Sequence, residues 1–547
     1  MTEDWRRLDR RTVLVTATVL AGVAGGAALP VFFGLTGSMP AWKALGWIGA
    51  GAALLIGAGA AADHVRWRRT RYRIGAERSE MGVPPAEGWG RSETGVPPAE
   101  GWGRSETGVP PAEGWGRVEL HTGLLLVKRR SLSRERIRTV DLTANPLLRV
   151  LGLVKVRIGT GESAGGGEST LELDPVARAE GERLRRELLA RTVSAAEDTT
   201  HDGALAELDR RWIRYAPVSF VAPLLGGAAA GAVMQVSEWF GAQAKVINWI
   251  GDRFEDTSVL SMIIVLVLLA TLAGTVGALG LWVEMWWNYR LEREPGGTLR
   301  VRRGLFTARS ISVEERRLRG VELVEPLGVR MCRAARVDAV ATGLVENEED
   351  EHADHKTLLP PAPRAVADRV AAQVLREPEP PTSAPLTVHP RAARTRRLRW
   401  ALAGALVPAA VLAVLGAVLT PVLLYIAAAC ALVSTPLAVL LALDAYRNLG
   451  HGITGGYLVA RSGTIRRTTV ALQRGGVIGW TVKQSYFQRR AGVLTLTATT
   501  AAGAGAYDVH DAGESEGLAF AAEAVPELLA PFLEPVRETP KARSTVR

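Results

Sequence analysis

Five long apolar runs constrain the fold of this chain more than any other feature of its sequence. They cover residues 13–36, 43–63, 216–236, 258–287 and 400–443. A helix needs about 20 apolar residues to cross the ~30 Å hydrocarbon core of a bilayer, so each of the first four runs is long enough for one span. The last run has no charge before Asp444 and contains Pro421, where a tight hairpin can turn, so it is long enough for two. The sequence therefore predicts six transmembrane helices in three hairpins.

Arginine clusters flank one side of each predicted hairpin, whereas the opposite connections are short or poor in basic residues. The clusters are "RRLDRR" (6–11), "RWRRTRYR" (66–73), "RRWIR" (210–214) and "RTRRLRW" (394–400). Lys and Arg accumulate in the cytoplasmic loops of membrane proteins. We therefore expect a multi-pass plasma-membrane protein with both termini and all large polar segments in the cytoplasm. A signal peptide is the alternative for the first run, but that run is long for one and a second span follows almost at once.

The outer connection at 237–256 contains "WFGAQAKVINWIGDRF" (239–254), in which apolar residues recur near helical spacing. This pattern predicts a short amphipathic helix on the outer leaflet, with its Trp side chains at the interface. An extended loop with scattered aromatic residues is the alternative.

The polar segment that follows each hairpin repeats one pattern three times. Each begins with an aromatic-basic pair, in "YRIGAE" (72–77), "YRLERE" (289–294) and "YRNLGH" (446–451). A glycine then opens a run of alternating residues, at Gly123, Gly304 and Gly463. An apolar residue stands 14 positions after each glycine, at Ile137, Leu318 and Val477. This fixed spacing predicts an internal repeat.

The second half of each polar segment also matches the other two. A basic approach leads into an alternating strand in "LLRVLGLVKVRIGTG" (147–161), "GVRMCRAARVDAVATG" (328–343) and "FQRRAGVLTLTATT" (487–500). A helical pattern closes each segment in "DPVARAEGERLRRELL" (174–189), "PAPRAVADRVAAQVL" (361–375) and "ESEGLAFAAEAVPELL" (514–529). Short strands followed by one helix predict a small β-barrel or sandwich whose apolar opening the helix covers.

Two spans followed by such a module resemble the bacterial pleckstrin-homology-like membrane proteins of the YdbS/YdbT type. The first module carries the resemblance best, with "RIRTVDL" (136–142) and "PLLRVLGLVKVRIGTG" (146–161), and the second is recognisable. The third departs, with "RGGVIGWTVKQSYFQRR" (474–490). The resemblance implies pleckstrin-homology-like (PH-like) barrels on the cytoplasmic face, and loosely a role in envelope stress or antimicrobial-peptide resistance. It brings no catalytic site, because the family has none to carry over.

The predicted fold is a membrane protein of α + β class, with six transmembrane helices in three hairpins, each followed by a cytoplasmic PH-like barrel or sandwich with a C-terminal helix. The predicted boundaries are a tail and transmembrane pair 1 at 1–70, module 1 at 71–195, a linker and pair 2 at 196–288, module 2 at 289–377, a linker and pair 3 at 378–446, module 3 at 447–536 and a disordered tail at 537–547.

Residues 82–117 hold a tandem repeat of "GVPPAEGWGRSET" that interrupts the first module. Removing it leaves 15 residues from Tyr72 to Gly123, the same spacing as from Tyr289 to Gly304 in the second module. Its Pro and Gly content disfavours regular structure. We therefore interpret it as an insertion into the first hairpin of module 1, with membrane contact by its Trp side chains as the alternative.

Basic clusters next to the predicted spans are the candidate contact residues. They are Lys128, Arg129, Arg130, Arg134, Arg136, Arg316, Arg317, Arg319, Arg489 and Arg490. At an anionic leaflet each such charge contributes about 1 kcal/mol of attraction. The expected partners are the lipid bilayer, its anionic headgroups and a second membrane protein of the same family. Nucleic acid is disfavoured, because few aromatic residues accompany the basic ones.

Other polar residues of the sequence give weaker indications of a functional site. Asp63, Glu284 and Asp444 recur near the inner ends of second spans. We interpret them as ordinary interfacial acids in an arginine-rich collar, and the alternative is that they pair with adjacent Arg residues or line a polar path. His352 and His355 lie in the acidic run "ENEEDEHADH" (346–355); metal binding is the alternative to a solvated hairpin loop. We predict no catalytic, cofactor or metal residue. The expected function is that of a non-enzymatic scaffold with docking or lipid-adjacent modules, and the alternative is a transporter or lipid-handling protein.

Overall fold

The computed structural model describes residues 5–74, 117–122, 128–133, 137, 139–159, 170–189, 203–219, 221–294, 297–342 and 356–529. The chain is an α + β protein that divides into two compact units, residues 1–192 and 193–547. The tandem repeat up to residue 116, the loop with His352 and His355, and the predicted tail at 537–547 lie outside the described residues.

The first unit contains a pair of long helices followed by two antiparallel sheets. Its elements are β1 (Arg6–Arg7), α1 (Thr12–Thr36), α2 (Ala41–Arg69), β2 (Arg71–Ile74), β3 (Arg117–Thr122), β4 (Lys128–Ser133), β5 (Thr139–Ala144), α3 (Pro146–Val150), β6 (Leu153–Gly159), β7 (Thr170–Ala177) and α4 (Arg178–Leu189). Within this unit, one sheet has the order β1-β2-β3-β4 and the other includes β5-β6-β7.

These two sheets enclose an apolar core that α4 closes. Alternate residues of the strands point inward, as Val156 and Ile158 do from β6. Leu184 of α4 is buried against them. Gly181 allows the helix to approach, because a Cβ at this position would lie 2.6 Å from Cγ2 of Val154. The predicted arrangement of short strands capped by a C-terminal helix is therefore present in the first module.

The second unit begins with a helix pair and the second module. Its first elements are β8 (Ala204–Glu207), α5 (Val221–Trp239), α6 (Gln243–Arg253), α7 (Val259–Trp286), β9 (Arg290–Glu294), β10 (Thr298–Arg303), β11 (Ala308–Glu314), β12 (Leu318–Pro326), α8 (Leu327–Met331), β13 (Ala334–Ala341), β14 (Thr357–Pro363) and α9 (Arg364–Leu375). The helix predicted in the outer connection is α6, which exposes Ile247 and Trp249.

A third helix pair and a third module complete this unit. They comprise α10 (Arg391–Val418), α11 (Pro421–Arg447), β15 (Gly450–Thr454), β16 (Tyr457–Ser462), β17 (Arg466–Gln473), β18 (Val477–Lys483), α12 (Tyr486–Arg490), β19 (Val493–Thr500), β20 (Ala506–Gly513), α13 (Glu514–Ala524) and α14 (Pro526–Leu529). The long apolar run does contain two helices, and Pro421 is the first residue of the second one.

Four helices in the described part of the chain are long and apolar enough to cross a membrane, namely α2, α7, α10 and α11. An apolar helix of shorter length covers Thr12–Ala28 within α1. Four of the six predicted spans are thus helices that could cross a membrane, and the arrangement of six spans in three hairpins stays a prediction. In the α5–α7 pair, a Cβ on Gly274 would lie 2.0 Å from the carbonyl oxygen of Ala222, so the small residue is needed for this close packing.

The second and third modules share one continuous sheet. Its strand order is β14-β13-β12-β17-β16-β15 among the described residues, so the second sheet of one module joins the first sheet of the next. The joint is the antiparallel pair of β12 and β17, with Gly320 opposite Leu472 and Pro326 opposite Arg466. The third module ends with the sheet β18-β19-β20. Alternation in sequence predicts the strands, but it carries no information about this pairing.

Candidate functional site

Three of the predicted basic residues of the first and third modules, Arg129, Arg489 and Arg490, are exposed. Arg129 is exposed on β4, and Arg130 is half-buried on the same strand. Lys128 is the first residue of β4, whereas Arg134 and Arg136 lie outside the described residues. Arg489 and Arg490 are exposed in the last turn of α12. Their predicted contact with lipid or a partner stays a prediction.

The predicted basic residues of the second module make contacts within the protein. Arg316 and Arg317 both reach Oε2 of Glu314, with Nε–Oε2 distances of 3.1 and 2.8 Å. Arg319 donates a hydrogen bond from Nη1 to Oε1 of Gln473, at 3.4 Å. A common contact site for the ten predicted residues stays a prediction. Other polar groups of the second unit do converge.

Asp444, at the C-terminal end of α11, is the centre of a polar cluster. Its Oδ2 accepts hydrogen bonds from Nη2 of Arg330 at 2.7 Å, Oγ1 of Thr464 at 2.9 Å and Nδ2 of Asn448 at 2.9 Å. Arg330 belongs to α8, so this ion pair joins the second module to the helix that precedes the third. The sequence predicts an arginine partner for Asp444 nearby in the chain, whereas the structure supplies one from the preceding module.

Glu325 of β12 extends this cluster across the joint between the modules. Its carboxylate is 3% exposed and accepts two hydrogen bonds from Arg467 of β17, both at 2.8 Å. Arg364 lies 2.8 Å from the same carboxylate. Burial alone would raise the pKa of Glu325, but the bonds from Arg467 and the charge of Arg364 hold it below its ordinary value.

Asn448 connects the contacts around Asp444 with those around Glu325. Its Oδ1 accepts a hydrogen bond from Nη1 of Arg467 at 3.1 Å, and its amide donates one to Asp444. We call this connected set the junction network. It consists of Glu325, Arg330, Arg364, Asp444, Asn448, Thr464 and Arg467.

Glu284 has a related position at the end of α7. Its carboxylate accepts hydrogen bonds from the backbone N–H groups of Phe306 at 2.8 Å and Thr307 at 3.0 Å. These residues form the turn between β10 and β11, whose Gly304 has a φ of 113°. Thr464, which binds Asp444, lies in the equivalent turn between β16 and β17. The acids of α7 and α11 therefore both hold the turn between the second and third strands of the module that follows.

Asp63 of α2 is the third member of this set. It is buried, and its Oδ2 accepts a hydrogen bond from Oγ1 of Thr16 in α1 at 2.9 Å. The turn that corresponds to those at Gly304 and Gly463 falls in residues 123–127, outside the described part. The contact that is described for Asp63 therefore joins the two helices of its own pair.

A cavity of about 830 Å³ lies beside the junction network. Trp400, Ala438 and Leu441 contribute an apolar wall from α10 and α11. The opposite wall is polar and belongs to the third module. The third module contributes the charged residues Lys483, Asp508 and Asp511 to the cavity lining, and α10 contributes Arg396 and Arg397.

Asp511 is the best-buried charge of this cavity. It stands in the left-handed region, with a φ of 55°, at an irregularity of the β19–β20 ladder. Its carboxylate accepts hydrogen bonds from Nη1 of Arg396 and from Nε2 of Gln488. The Nε atoms of Arg396 and Arg397 are buried and have no hydrogen-bond partner among the described residues, although Nε of Arg397 lies 3.7 Å from Oδ2 of Asp511. The cavity thus combines an apolar wall with incompletely satisfied cationic groups.

A buried histidine pair joins His389 to His451 of β15. Nε2 of His389 and Nδ1 of His451 are 2.9 Å apart, and the ring of Phe520 packs 4.7 Å from that of His451. Burial lowers the pKa of His389. Burial also lowers the pKa of His451 to about 4, with a smaller contribution from His389. Both rings are therefore neutral near pH 7, with one donating to the other.

One residue of the junction network could be identified from the spacing of the internal repeat. Arg330 recurs at the corresponding position of each module, as Arg149 in α3 and Arg489 in α12. Glu325, Asn448 and Arg467 do not recur in this way, so no pattern marks them. Within the described residues, no group of His, Cys, Asp and Glu is arranged to hold a metal ion.

Comparison with protein families identifies two stretches of the chain. The family model of the bacterial PH domain matches residues 116–192 and 406–527. The first range contains the first module from β3 onward, and the second contains most of the third helix pair with the third module. This confirms the resemblance to bacterial PH-like proteins, and it includes the module that departs most from the common pattern. No curated protein and no solved structure matched the chain.

Proposed function

We propose, from the premise that two stretches of the chain match the bacterial PH domain, that this membrane-associated protein is a docking scaffold. Its six helices span the plasma membrane, and its three PH-like modules lie in the cytoplasm against the inner leaflet. The basic residues of the modules, among them exposed Arg129, Arg489 and Arg490, favour an anionic leaflet or a partner. The scaffold is non-enzymatic, and the family resemblance favours a role in envelope stress or antimicrobial-peptide resistance.

The junction network is the observation that carries this proposal. The bidentate ion pair of Arg467 with Glu325 fixes β17 against β12. The ion pair of Arg330 with Asp444 fixes α8 against the end of α11. Modules held in this way keep one orientation relative to the helix ends, which is what a docking surface at a membrane requires. A buried pair of this kind costs about 3–5 kcal/mol to break by removing one partner.

The orientation can be tested with the native cysteines. Cys332 is exposed in the second module and Cys430 lies within α11, so the Cys430→Ser variant leaves one accessible thiol. We expect a membrane-impermeant maleimide to label Cys332 in inside-out vesicles but not in intact cells. A cysteine-free variant with Gln243→Cys, in α6, is the matched control and should label from outside. The opposite pattern would place the modules outside the cell and refute the proposal.

The docking role can be tested by crosslinking and pull-down from native membranes. We expect specific proteins to be recovered with the wild-type chain and to be lost when Arg330→Ala loosens the second module from α11. Arg369→Ala, at an exposed position of α9, is the control and should retain them. Recovery of no specific protein with the wild type would contradict docking.

A lipid-handling role is the second candidate, because the cavity beside α10 and α11 suits an amphipathic ligand. Acyl chains would lie against Trp400 and Leu441, and an anionic headgroup against Arg396, Arg397 and Lys483. Leu441→Trp fills this cavity, whereas Leu440→Trp replaces a neighbouring exposed residue. If the protein handles lipid, mass spectrometry of the purified protein should show less co-purifying phospholipid with the first variant only. Equal amounts in both would remove this candidate.

A further inference from the structure

We infer that the free edge of β18 is a docking site for a strand from a PH-like module of another membrane protein. The inference rests on the proposed scaffold function and names its partner. It starts from the joint inside the chain, where β12 of the second module pairs with β17 of the third. The third module carries the counterpart of β12, and within the described residues no strand occupies its outer side.

The segment β18–α12 corresponds to β12–α8 at a constant offset. Val477 begins one strand and Leu318 the other, and each ladder has an irregularity before the next glycine, Gly479 or Gly320. The helices α12 and α8 follow at the same offset and have the same length. The segment β18–α12 is therefore built like the segment β12–α8, onto which the third module is joined.

The glycines show which side of the strand is used. A Cβ at Gly320 would lie 2.1 Å from the carbonyl oxygen of Ala471, because β17 passes there. A Cβ at Gly479 would meet no atom within 4 Å. Gly479 therefore leaves open the space that the neighbouring backbone fills at Gly320.

The arginines give the same correspondence. Arg330 of α8 pairs with Asp444 at the end of the next transmembrane helix. Arg489 holds the equivalent place in α12 and is exposed, and its guanidinium makes no hydrogen bond or ion pair with any described residue. A partner strand on β18 would bring the end of the partner's own second span towards Arg489. We therefore expect that span to end in an acid, as α11 does.

The exposed side chains also favour occupation of this edge. Ile478 and Val482 are 62% and 46% exposed on β18, and Tyr486 and Phe487 are exposed on α12. A free strand edge with apolar residues is a template for strand addition, in which the backbone provides affinity and the side chains provide specificity.

Charge decides between a second copy of this chain and a different protein. In a second copy, the counterpart of β17 at the edge of a sheet is β4 of the first module. The register of the β12–β17 joint would then place Lys128 opposite Lys483, and like charges directly opposite destabilise a strand pair. The partner is therefore a PH-like module of another chain with a neutral or acidic residue at this position.

The test is site-specific photocrosslinking in native membranes, with the full chain carrying a photoreactive residue in place of exposed Thr481. We expect an adduct with the third strand of a PH-like module from another membrane protein. Gly479→Val, which blocks the edge, and Arg489→Glu should each reduce the adduct by about tenfold, equivalent to about 1.4 kcal/mol. Arg490→Glu is the matched control and should leave it unchanged, because its counterpart Met331 is 79% exposed at the internal joint.

Several results would overturn the inference. These are an adduct with residues 530–547 of the same chain, with a second copy or with lipid alone, the lack of any adduct, and an adduct that neither variant weakens. Gly479→Val adds a side chain within a strand, so the thermal unfolding of this variant is compared with that of the wild type to detect misfolding. Arg489→Glu changes an exposed side chain and provides the second readout. Correct labelling of Cys332 with no adduct would reject the inference alone, whereas reversed labelling would reject the proposed function.

Discussion

At the scale of single residues, carboxylates at helix ends connect the membrane helices to the modules. Glu284 and Asp444 each bind the turn between the second and third strands of the following module, through backbone N–H groups in one case and Thr464 in the other. The sequence identifies both acids by their recurrence. It could not identify their partners, because those lie tens of residues away and meet the acids only after folding.

Replacing Asp444 with Asn should weaken the attachment of the third module. Arg330, whose side chain is 13% exposed, would lose its charged partner. Because Asp444 itself is about one-third exposed, we expect a cost of about 1–2 kcal/mol, below the range for fully buried pairs. The measurement is thermal unfolding of the detergent-purified protein. Asp252→Asn, at an exposed position of α6, is the control, and equal melting temperatures for the two variants would contradict the role of Asp444.

Gly463 is required by its backbone conformation and by close contact. Its φ is 100°, and a Cβ would lie 2.0 Å from the carbonyl oxygen of Arg466. Gly463→Ala should therefore destabilise the third module by about 1–3 kcal/mol. Gly456→Ala is the matched control, since a Cβ there meets nothing within 4 Å. Limited proteolysis would show the difference, and equal cleavage of the two variants would argue against a strained turn.

The histidine pair should make stability depend on pH. The folded-state pKa of His451 is about 4, below the ordinary value of 6.5, so protons bind more tightly to the unfolded chain. The stability that depends on a neutral His451 is therefore fully present above about pH 6.5 and is lost progressively as the pH falls towards 4. We expect the melting temperature to fall over this interval and His451→Gln to flatten the profile. An unchanged profile in that variant would assign the dependence to other groups.

At the scale of elements, close backbone contact decides which helices pack together. Gly274 of α7 lies against Ala222 of α5, whereas Gly280 of the same helix has no atom within 4 Å of a Cβ. Small residues allow such packing in membranes, where burial of apolar surface does not itself drive helices together. The abundance of Gly and Ala predicts close packing but does not show which of them provide it.

Gly274→Val should therefore separate α5 from α7, and Gly280→Val should not. The added side chain at position 274 would overlap the carbonyl oxygen of Ala222, which lies 2.0 Å from the Cβ position. We expect the first variant to unfold at a lower temperature in detergent than the second. If both variants unfold together, the contact between the two helices contributes little to stability.

At the scale of the whole molecule, the tandem repeat is separate from the features that build the module. β2 and β3 form an antiparallel pair in which Ile74 lies opposite Val118, so the residues between them connect two neighbouring strands. The equivalent strands β9 and β10 pair with Glu294 opposite Thr298. An insertion at such a position adds chain to a hairpin connection without interrupting the ladder.

Deleting residues 82–116, which leaves β3 whole from Arg117, should therefore leave folding and membrane insertion intact. The ladder register and the buried positions of Tyr72 and Val118 do not depend on the inserted copies. Protease resistance of the first module and membrane fractionation provide the measurements. Deletion of residues 118–122, which removes most of β3, is the control and should abolish resistance. Loss of resistance in the first deletion would show that the repeat has a structural role.

The sequence by itself determined the apolar helices, the threefold pattern of strands followed by a helix, and the insertion, because periodicity and spacing are local properties. Only the tertiary structure decided that β12 pairs with β17, that Glu325 meets Arg467 and that Asp444 meets Arg330. Hydrogen bonding along a strand edge is the same for every strand, so alternation cannot name a partner. The partners are selected by charge and by space at single positions, and those positions come together only when the chain has folded.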